Sequence, residues 1–485
     1  MLPDQARNDN FANIHNKKDL QLHTYYVLIY CITLFTLRDV IMNLLSLFAP
    51  PPAKPLLPEE KVKKLYPRFR WHILEATFIG YATFYIVRNN LSTVARDMQA
   101  VFGYDHSQIG SILAISALSY GIGKFLLGSV SDRSNVRVFM PVGLILTALC
   151  NFAFGATQSY AIHFWLWALN GFIQGAGWPP CGRSIGHWFS VSERGTIFSV
   201  WNIAHNVGGG VAGMLAAYCA KHFGLHNAFF IPGAIAILCA IYLFFRLRDT
   251  PQSVGLPPVE LYKNDYPPQT HEHIEKELST KTLFVDYILK NKLLWVVAIA
   301  NFFVYIARYS MLDWGPTFLR EIKGANITQG GFSIMVLEFA GIPSTILFGW
   351  ISDKLQGRRG MVSMLCMIPV VLAFFAIVVY PQPSLWFYYA MLSVIGFFVY
   401  PPVMMLGVMG LDLTNKKAVG TAAGFIGMFG YLGRTVQAKG FGFILDYFAT
   451  TYDIVTRWNI VLYSIVACTV ISIVLLAFTW KVKPR

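Results

Sequence analysis

Arg88 and Arg308 are the residues on which a chemistry can first be built. Each lies near the middle of a long apolar stretch, and neither has an acidic residue one helical turn away. A charge at the centre of a bilayer costs at least about 2.5–3.5 kcal/mol, so it persists when it snorkels, pairs or serves a ligand. Two unpaired guanidinium groups facing one cavity repel each other and call for an anion. A phosphate monoester carries about −1.5 to −2 near neutral pH and offers three acceptor oxygens. Guanidinium stays ionised and grips such oxygens in pairs, so two arginines match one phosphate in charge and shape. Tyr81 and Tyr85 precede Arg88 by seven and four residues and share its helical face. Tyr305 stands three residues before Arg308. His205, within Trp201-Asn-Ile-Ala-His-Asn-Val-Gly-Gly-Gly210, could bond phosphate or carry a proton near its ordinary pKa of about 6.5. Lys124, Tyr400 and Tyr431 are weaker candidates, and simple packing is as good a reading of each tyrosine.

Other chemistries find less support. The seven cysteines are scattered with no CxxC pair and read as small apolar residues, so no metal site and no cofactor are expected. There is no GxxxxGK[ST] loop, and His271-Glu-His273 lacks the HExxH spacing. An enzyme is therefore not expected.

The elements that must position these residues follow from composition. Of 485 residues, 55% are hydrophobic and 13% charged, against about 25% charged in a soluble protein. The mean hydropathy is +0.49. That excludes an ordinary soluble enzyme and a nucleic-acid binder, despite a net charge of +14. It points to an all-α membrane protein, with the lipid bilayer as its main partner. Twelve apolar stretches are long enough to span: 73–96, 109–131, 138–158, 162–189, 195–220, 227–245, 293–318, 329–352, 361–380, 385–411, 419–446 and 458–480. Alternate loops starting with 131–137 carry 11 basic residues and the opposite set 4. Both ends of the core and the polar segment 246–292 are accordingly expected in the cytoplasm.

Features repeat under nearly one shift. Gly128-Ser-Val-Ser-Asp132-Arg133 returns as Gly349-Trp-Ile-Ser-Asp353-Lys, Trp178-Pro-Pro as Tyr400-Pro-Pro, Gly195-Thr as Gly420-Thr, and Arg88 as Arg308. This implies two six-helix bundles in parallel repeat, 73–245 and 293–485, joined by the linker 246–292. Residues 42–72 form an N-terminal cytoplasmic segment. Residues 1–41 fit poorly as a span and are expected to be an upstream extension or a short amphipathic segment. In the two repeated loops, Asp132 with Arg133 and Arg137, and Asp353 with Arg358 and Arg359, are expected to cluster between helix ends as structural and gating elements. Arg96 can snorkel, and Arg183 is expected to neutralise a helix end.

The G-x-x-x-D-R/K-x-x-x-R/K loop resembles that of the major facilitator superfamily. Trp178-Pro-Pro-Cys-Gly-Arg183, Trp201 through Gly210, Arg248-Asp-Thr-Pro-Gln-Ser-Val-Gly-Leu-Pro-Pro258 and Ala300-Asn-Phe-Phe-Val-Tyr-Ile-Ala-Arg308-Tyr resemble the organophosphate:phosphate antiporters. The resemblance runs from about Met42 to the C-terminus. It implies that Arg88 and Arg308 bind phosphate and that Lys124, His205, Tyr81, Tyr85, Tyr305, Tyr400 and Tyr431 line the same cavity. The chain departs from the glycerol-3-phosphate carriers at Asn89, where they have lysine, and at Arg434 and Lys439, where their span is neutral. Extra cationic donors suggest a more hydroxylated substrate. The implied activity is exchange of a sugar phosphate, glucose 6-phosphate foremost, for inorganic phosphate, by a monomer in a bacterial inner membrane. Exchange of glycerol 3-phosphate, a hexose-phosphate sensor, and a proton-coupled anion symporter using His205 or Glu338 are the alternatives.

Overall fold

Helix starts follow local chemistry. The helix α3 (His106–Ser131) opens with a reciprocal capping box between Asp105 and Gln108, and α13 (Ile327–Lys354) with the same device between Asn326 and Gln329. Each box satisfies two backbone donors that the first turn would otherwise leave free. The two boxes are themselves copies at the repeat shift (105 to 326). The computed structural model describes residues 46–265, 288–380, 384–414 and 419–483, so residues 1–45 and His271-Glu-His273 lie outside the described residues.

In chain order the helices are α1 (Glu59–Ile86), α2 (Asn90–Phe102), α3 (His106–Ser131), α4 (Val136–Ala156), α5 (Tyr160–Gln174), α6 (Trp178–Trp188), α7 (Val191–Asn202), α8 (Ala204–Phe223), α9 (Asn227–Arg246) and the short α10 (Val259–Lys263). They continue as α11 (Lys292–Asp313), α12 (Gly315–Lys323), α13 (Ile327–Lys354), α14 (Arg359–Val379), α15 (Leu385–Asp412), α16 (Val419–Tyr447) and α17 (Ile454–Ala477). Eight of these are long and apolar enough to cross a bilayer unaided. The expected spans 73–96, 162–189 and 195–220 are each built instead from two helices end to end, α1–α2, α5–α6 and α7–α8; α11 is one of the eight and runs on into α12, and 419–446 is the single helix α16. The first of these starts earlier than expected, at Glu59, and carries Pro67 inside it.

Within the first half α9 packs on α4, α3 on α5, and α1 on α8. Within the second, α11 packs on α16, α13 and α14 on α15, and α17 on α14. Two seams join the halves, α3 with α16 and α8 with α13. The glycine run 208–210 makes the second seam possible. A Cβ on Gly208 would meet the Ala82 carbonyl oxygen at 2.3 Å, and one on Gly209 the Glu338 side chain at 2.6 Å. Only glycine lets α8 press on α1 and α13 at once.

The start of the linker is tied to the first half. Asp249 accepts two bonds from Arg183, at 2.8 and 3.1 Å, and one from the backbone N–H of Val136 at 3.0 Å. Tyr262 stacks on Tyr66 with ring centres 3.8 Å apart. The expected cluster of Asp132 with Arg133 and Arg137 does not form. Asp249, rather than Asp132, supplies the carboxylate at that helix end, and Arg137 donates to the Phe244 carbonyl at 2.8 Å. In the second copy Arg359 pairs with Asp412, with Asp353 at 4.0 Å. Arg133 and Arg358 make no ion pair among the described residues.

Candidate functional site

The site begins with a break in the backbone. Between α1 and α2, Val87–Asn89 leave the helix and bring Arg88 into the interior, 5% exposed. A break inside a membrane span frees carbonyls that lipid cannot satisfy. Three buried amides take them up. Asn151 and Asn170 donate to the Val87 oxygen at 2.9 and 3.1 Å, and Gln174 donates to the Phe84 oxygen at 2.9 Å. Arg308 reaches the same interior, also 5% exposed, from the unbroken α11.

An aromatic circuit joins the two arginines. Arg88 lies 4.0 Å over the Tyr85 ring and 5.0 Å over Tyr120. Arg308 lies 4.6 Å over Tyr400 and 4.9 Å over Tyr309. On one side the circuit passes from Tyr85 to His205 (6.0 Å) and on to Tyr400 (5.7 Å). On the other it passes from Tyr120 to Tyr431 (4.8 Å), Tyr305 (5.5 Å) and Tyr309 (5.5 Å). Tyr81 extends it, stacked on Trp201 at 4.9 Å. Each π face offers a cation partial compensation, but no counter-charge. Neither arginine forms an ion pair among the described residues, and the Arg308 Nε has no hydrogen-bond partner. Arg88 Nε has a long bond, 3.4 Å, to Asn89. His205 Nδ1 bonds the Asn202 carbonyl, so that nitrogen carries the proton and Nε2 is left for a ligand.

Two acids stand at the margin. Glu338 is fully buried, takes a bond from the Tyr400 hydroxyl and another from Asn206 at 3.0 Å, and keeps Oε1 unpartnered. Asp313 grips Arg434 in a two-pronged pair at 2.7 and 3.0 Å. Arg434 in turn lies 4.1 Å over Tyr309. Arg434 was expected as a free substrate donor; it reaches the site already neutralised, because α11 turns Asp313 toward α16.

Lys124 stands one turn beyond Tyr120, 5.0 Å over Trp178, lining a cavity of about 580 Å³ with Asp132, Arg183 and Glu260. It belongs to the approach to the arginines and not to their immediate surroundings. Lys439 was expected in the site and is not there. Its ammonium donates to Ser111 Oγ at 2.8 Å and to the Ser107 carbonyl at 3.1 Å, at the far end of α3. Tyr120, Tyr309, Asn206 and Asp313 escaped sequence reasoning. Tyr120 alone left a usable signal, four residues before Lys124 on the same face.

A sequence model of the Major Facilitator Superfamily matches residues 77–438. The chain is 41% identical over 452 residues to a glycerol-3-phosphate transporter of Bacillus subtilis (strain 168), covering 91% of this chain and 99% of that one. It is 38% identical over 458 residues to a probable hexose phosphate transport protein of Chlamydia pneumoniae, covering 92% and 99%. With the membrane sensor protein UhpC of Escherichia coli (strain K12) it shares 34% over 399 residues, covering 82% and 91%. Among solved structures, a bacterial homolog of the lysosomal transporter Spinster, inward-facing and unoccupied, has a TM-score of 0.67 at 16% identity, covering 85% and 96%; it shows the fold alone. By family match, relatives and helix arrangement, the chain is an integral membrane protein of the major facilitator superfamily and belongs to its organophosphate:phosphate antiporter family.

Proposed function

We propose that the chain exchanges a hexose phosphate, glucose 6-phosphate foremost, for inorganic phosphate across a bacterial inner membrane by alternating access. The observation that carries this reading is the pair of buried arginines, one from each half, neither of them in an ion pair among the described residues. Without a ligand, two positive charges in one low-dielectric cavity oppose closure. A phosphate dianion removes that opposition and accepts hydrogen bonds from both guanidinium groups. The halves 73–245 and 293–485 then rock about it, with the linker 246–292 and both core ends in the cytoplasm. Occlusion requires a ligand, so exchange is favoured over slippage.

The state described supports this reading. At the end of the 103–105 loop the seams are tight: a Cβ on Gly442 would meet the His106 carbonyl at 2.3 Å. In this reading the cavity opens to the cytoplasm. The Asp313–Arg434 pair is neutral overall yet presents donors and acceptors, which suits a hydroxylated body better than a second phosphate. Glycerol 3-phosphate is the second reading, favoured by relatives of that name at 41% and 42% identity. Counterflow in proteoliposomes loaded with phosphate, against a panel of labelled esters, tests both. Glucose 6-phosphate should enter fastest; preference for glycerol 3-phosphate would install the second reading. Absence of flux with any ester, together with ester binding, would indicate a sensor.

A further inference from the structure

The end of the molecule away from the 132–135 loop is closed by charges that cross between the halves, and they converge on one residue. His106 opens α3 in the first half. Its Nδ1 lies 2.8 Å from Asp446 Oδ1 on α16, and its Nε2 lies 3.0 Å from Glu321 Oε1 on α12, both in the second half. Asp446 also caps α3 across the seam, accepting from the backbone N–H groups of His106 (3.3 Å) and Ser107 (2.5 Å). Glu321 is held in turn by Trp458 Nε1 at 2.8 Å, and its side chain is only 4% exposed.

Ionised carboxylates only accept hydrogen bonds, so a ring that bonds two of them must donate from both nitrogens. The geometry therefore describes an imidazolium. We propose that His106 is a proton-operated latch on the outer gate: charged, it ties Asp446 and Glu321 to the start of α3, and on losing its proton it lets the outer end open. A neutral ring has one N–H and one lone pair, so one carboxylate then faces a lone pair and the bridge cannot hold both.

Other charged groups surround the ring and its partners. Arg96 on α2 reaches Glu321 at 3.4 Å, Arg320 on α12 grips Asp97 on α2 at 2.5 and 2.9 Å, and Lys439 on α16 bonds Ser107 and Ser111. Asp105 precedes the histidine, Trp314 stacks on it at 6.3 Å, and Arg457 and Tyr104 complete the surroundings. The arginines and the lysine supply the constant part of the closure. His106 supplies the part that varies. It also lines an open pocket of about 630 Å³, which gives its proton access to water on that side. The outward-open population should therefore rise with pH.

The inference rests on the alternating-access reading but not on the identity of the substrate. Its test needs no ligand, so it can fail while exchange stands. Spin labels at Val101→Cys and Tyr452→Cys, both exposed, report the separation of the halves at this end in the full-length protein in lipid nanodiscs. In the parent the long-distance population should grow as pH rises through about 9, to which the His106 pKa is raised. His106→Gln should show the enlarged long-distance population at every pH. His106→Arg, a permanent cation with a forked head, should stay closed at every pH. Asp446→Asn should open the gate from the other side of the bridge, which keeps the proposal testable if a histidine variant does not fold. A parent distribution that does not change with pH, or a pH response that survives in His106→Gln, would overturn it.

Discussion

Asp313→Asn is the most informative single change, because Asp313 and Arg434 form a buried, two-pronged pair whose loss can be put in numbers. The partners are 2% and 7% exposed, at 2.7 and 3.0 Å. Removing one member of such a pair costs about 3–5 kcal/mol, because the other is left as an uncompensated buried charge. Replacing both leaves no stranded charge. Asp313→Asn/Arg434→Gln should therefore be more stable than the sum of the single losses implies, with a coupling of about 1–3 kcal/mol. Unfolding of the four proteins in micelles closes the double-mutant cycle. The single change also has a functional signature. Freed from its carboxylate, Arg434 adds a third cation to the cavity wall beside Tyr309. Asp313→Asn should then shift counterflow toward more highly charged esters, such as sugar bisphosphates, at the expense of monoesters. Additivity within about 0.5 kcal/mol, with unchanged ester preference, would refute the reasoning.

The remaining predictions concern the other parts of the site. Tyr400→Phe removes a donor from the buried Glu338 and should slow exchange while costing about 1–3 kcal/mol of stability, read by the same unfolding assay. Gln174→Leu strands the Phe84 carbonyl and should cost about 1–3 kcal/mol; Asn170→Ala should cost less, since Asn151 still serves Val87. Gly442→Ala should disfavour the state closed at the 103–105 end, whereas Gly424→Ala should leave that state untouched; cross-linking of the outer ends separates the two. Substrate affinity should rise with pH through about 6, where a phosphate monoester becomes a dianion, while both guanidinium groups stay charged.

Much of the fold could be read from residue pattern because a bilayer demands long apolar runs, and because a parallel repeat writes each signal twice. Arg88 and Arg308 were legible for that reason. The break at Val87–Asn89 was not, since the polar run Arg88-Asn89-Asn90 that marks it reads equally well as a ligand-binding patch on a continuous helix. Its signature lies in other spans, as the amides Asn151, Asn170 and Gln174, which mean nothing until the chain has folded. Partner choice was hidden in the same way. Asp313 sits on a different helical face from Arg308, and only the packing of α11 against α16 brings it to Arg434. Lys439 shares a helix with Arg434, yet five residues along α16 it reaches the seam with the start of α3, at Ser107 and Ser111. The loop charges misled because Asp249, far along the chain, displaces Asp132 at the helix end.

The central claim is that two arginines, one per half, await a single phosphate group. Exchange of labelled phosphate for unlabelled phosphate in proteoliposomes addresses it with nothing else in play. Lysine keeps each charge but loses the fork, worth about 1.5–3 kcal/mol for a bond to a charged group. Arg88→Lys and Arg308→Lys should each lower exchange by at least about tenfold while the purified proteins remain folded. Parental exchange rates in both variants would contradict the account.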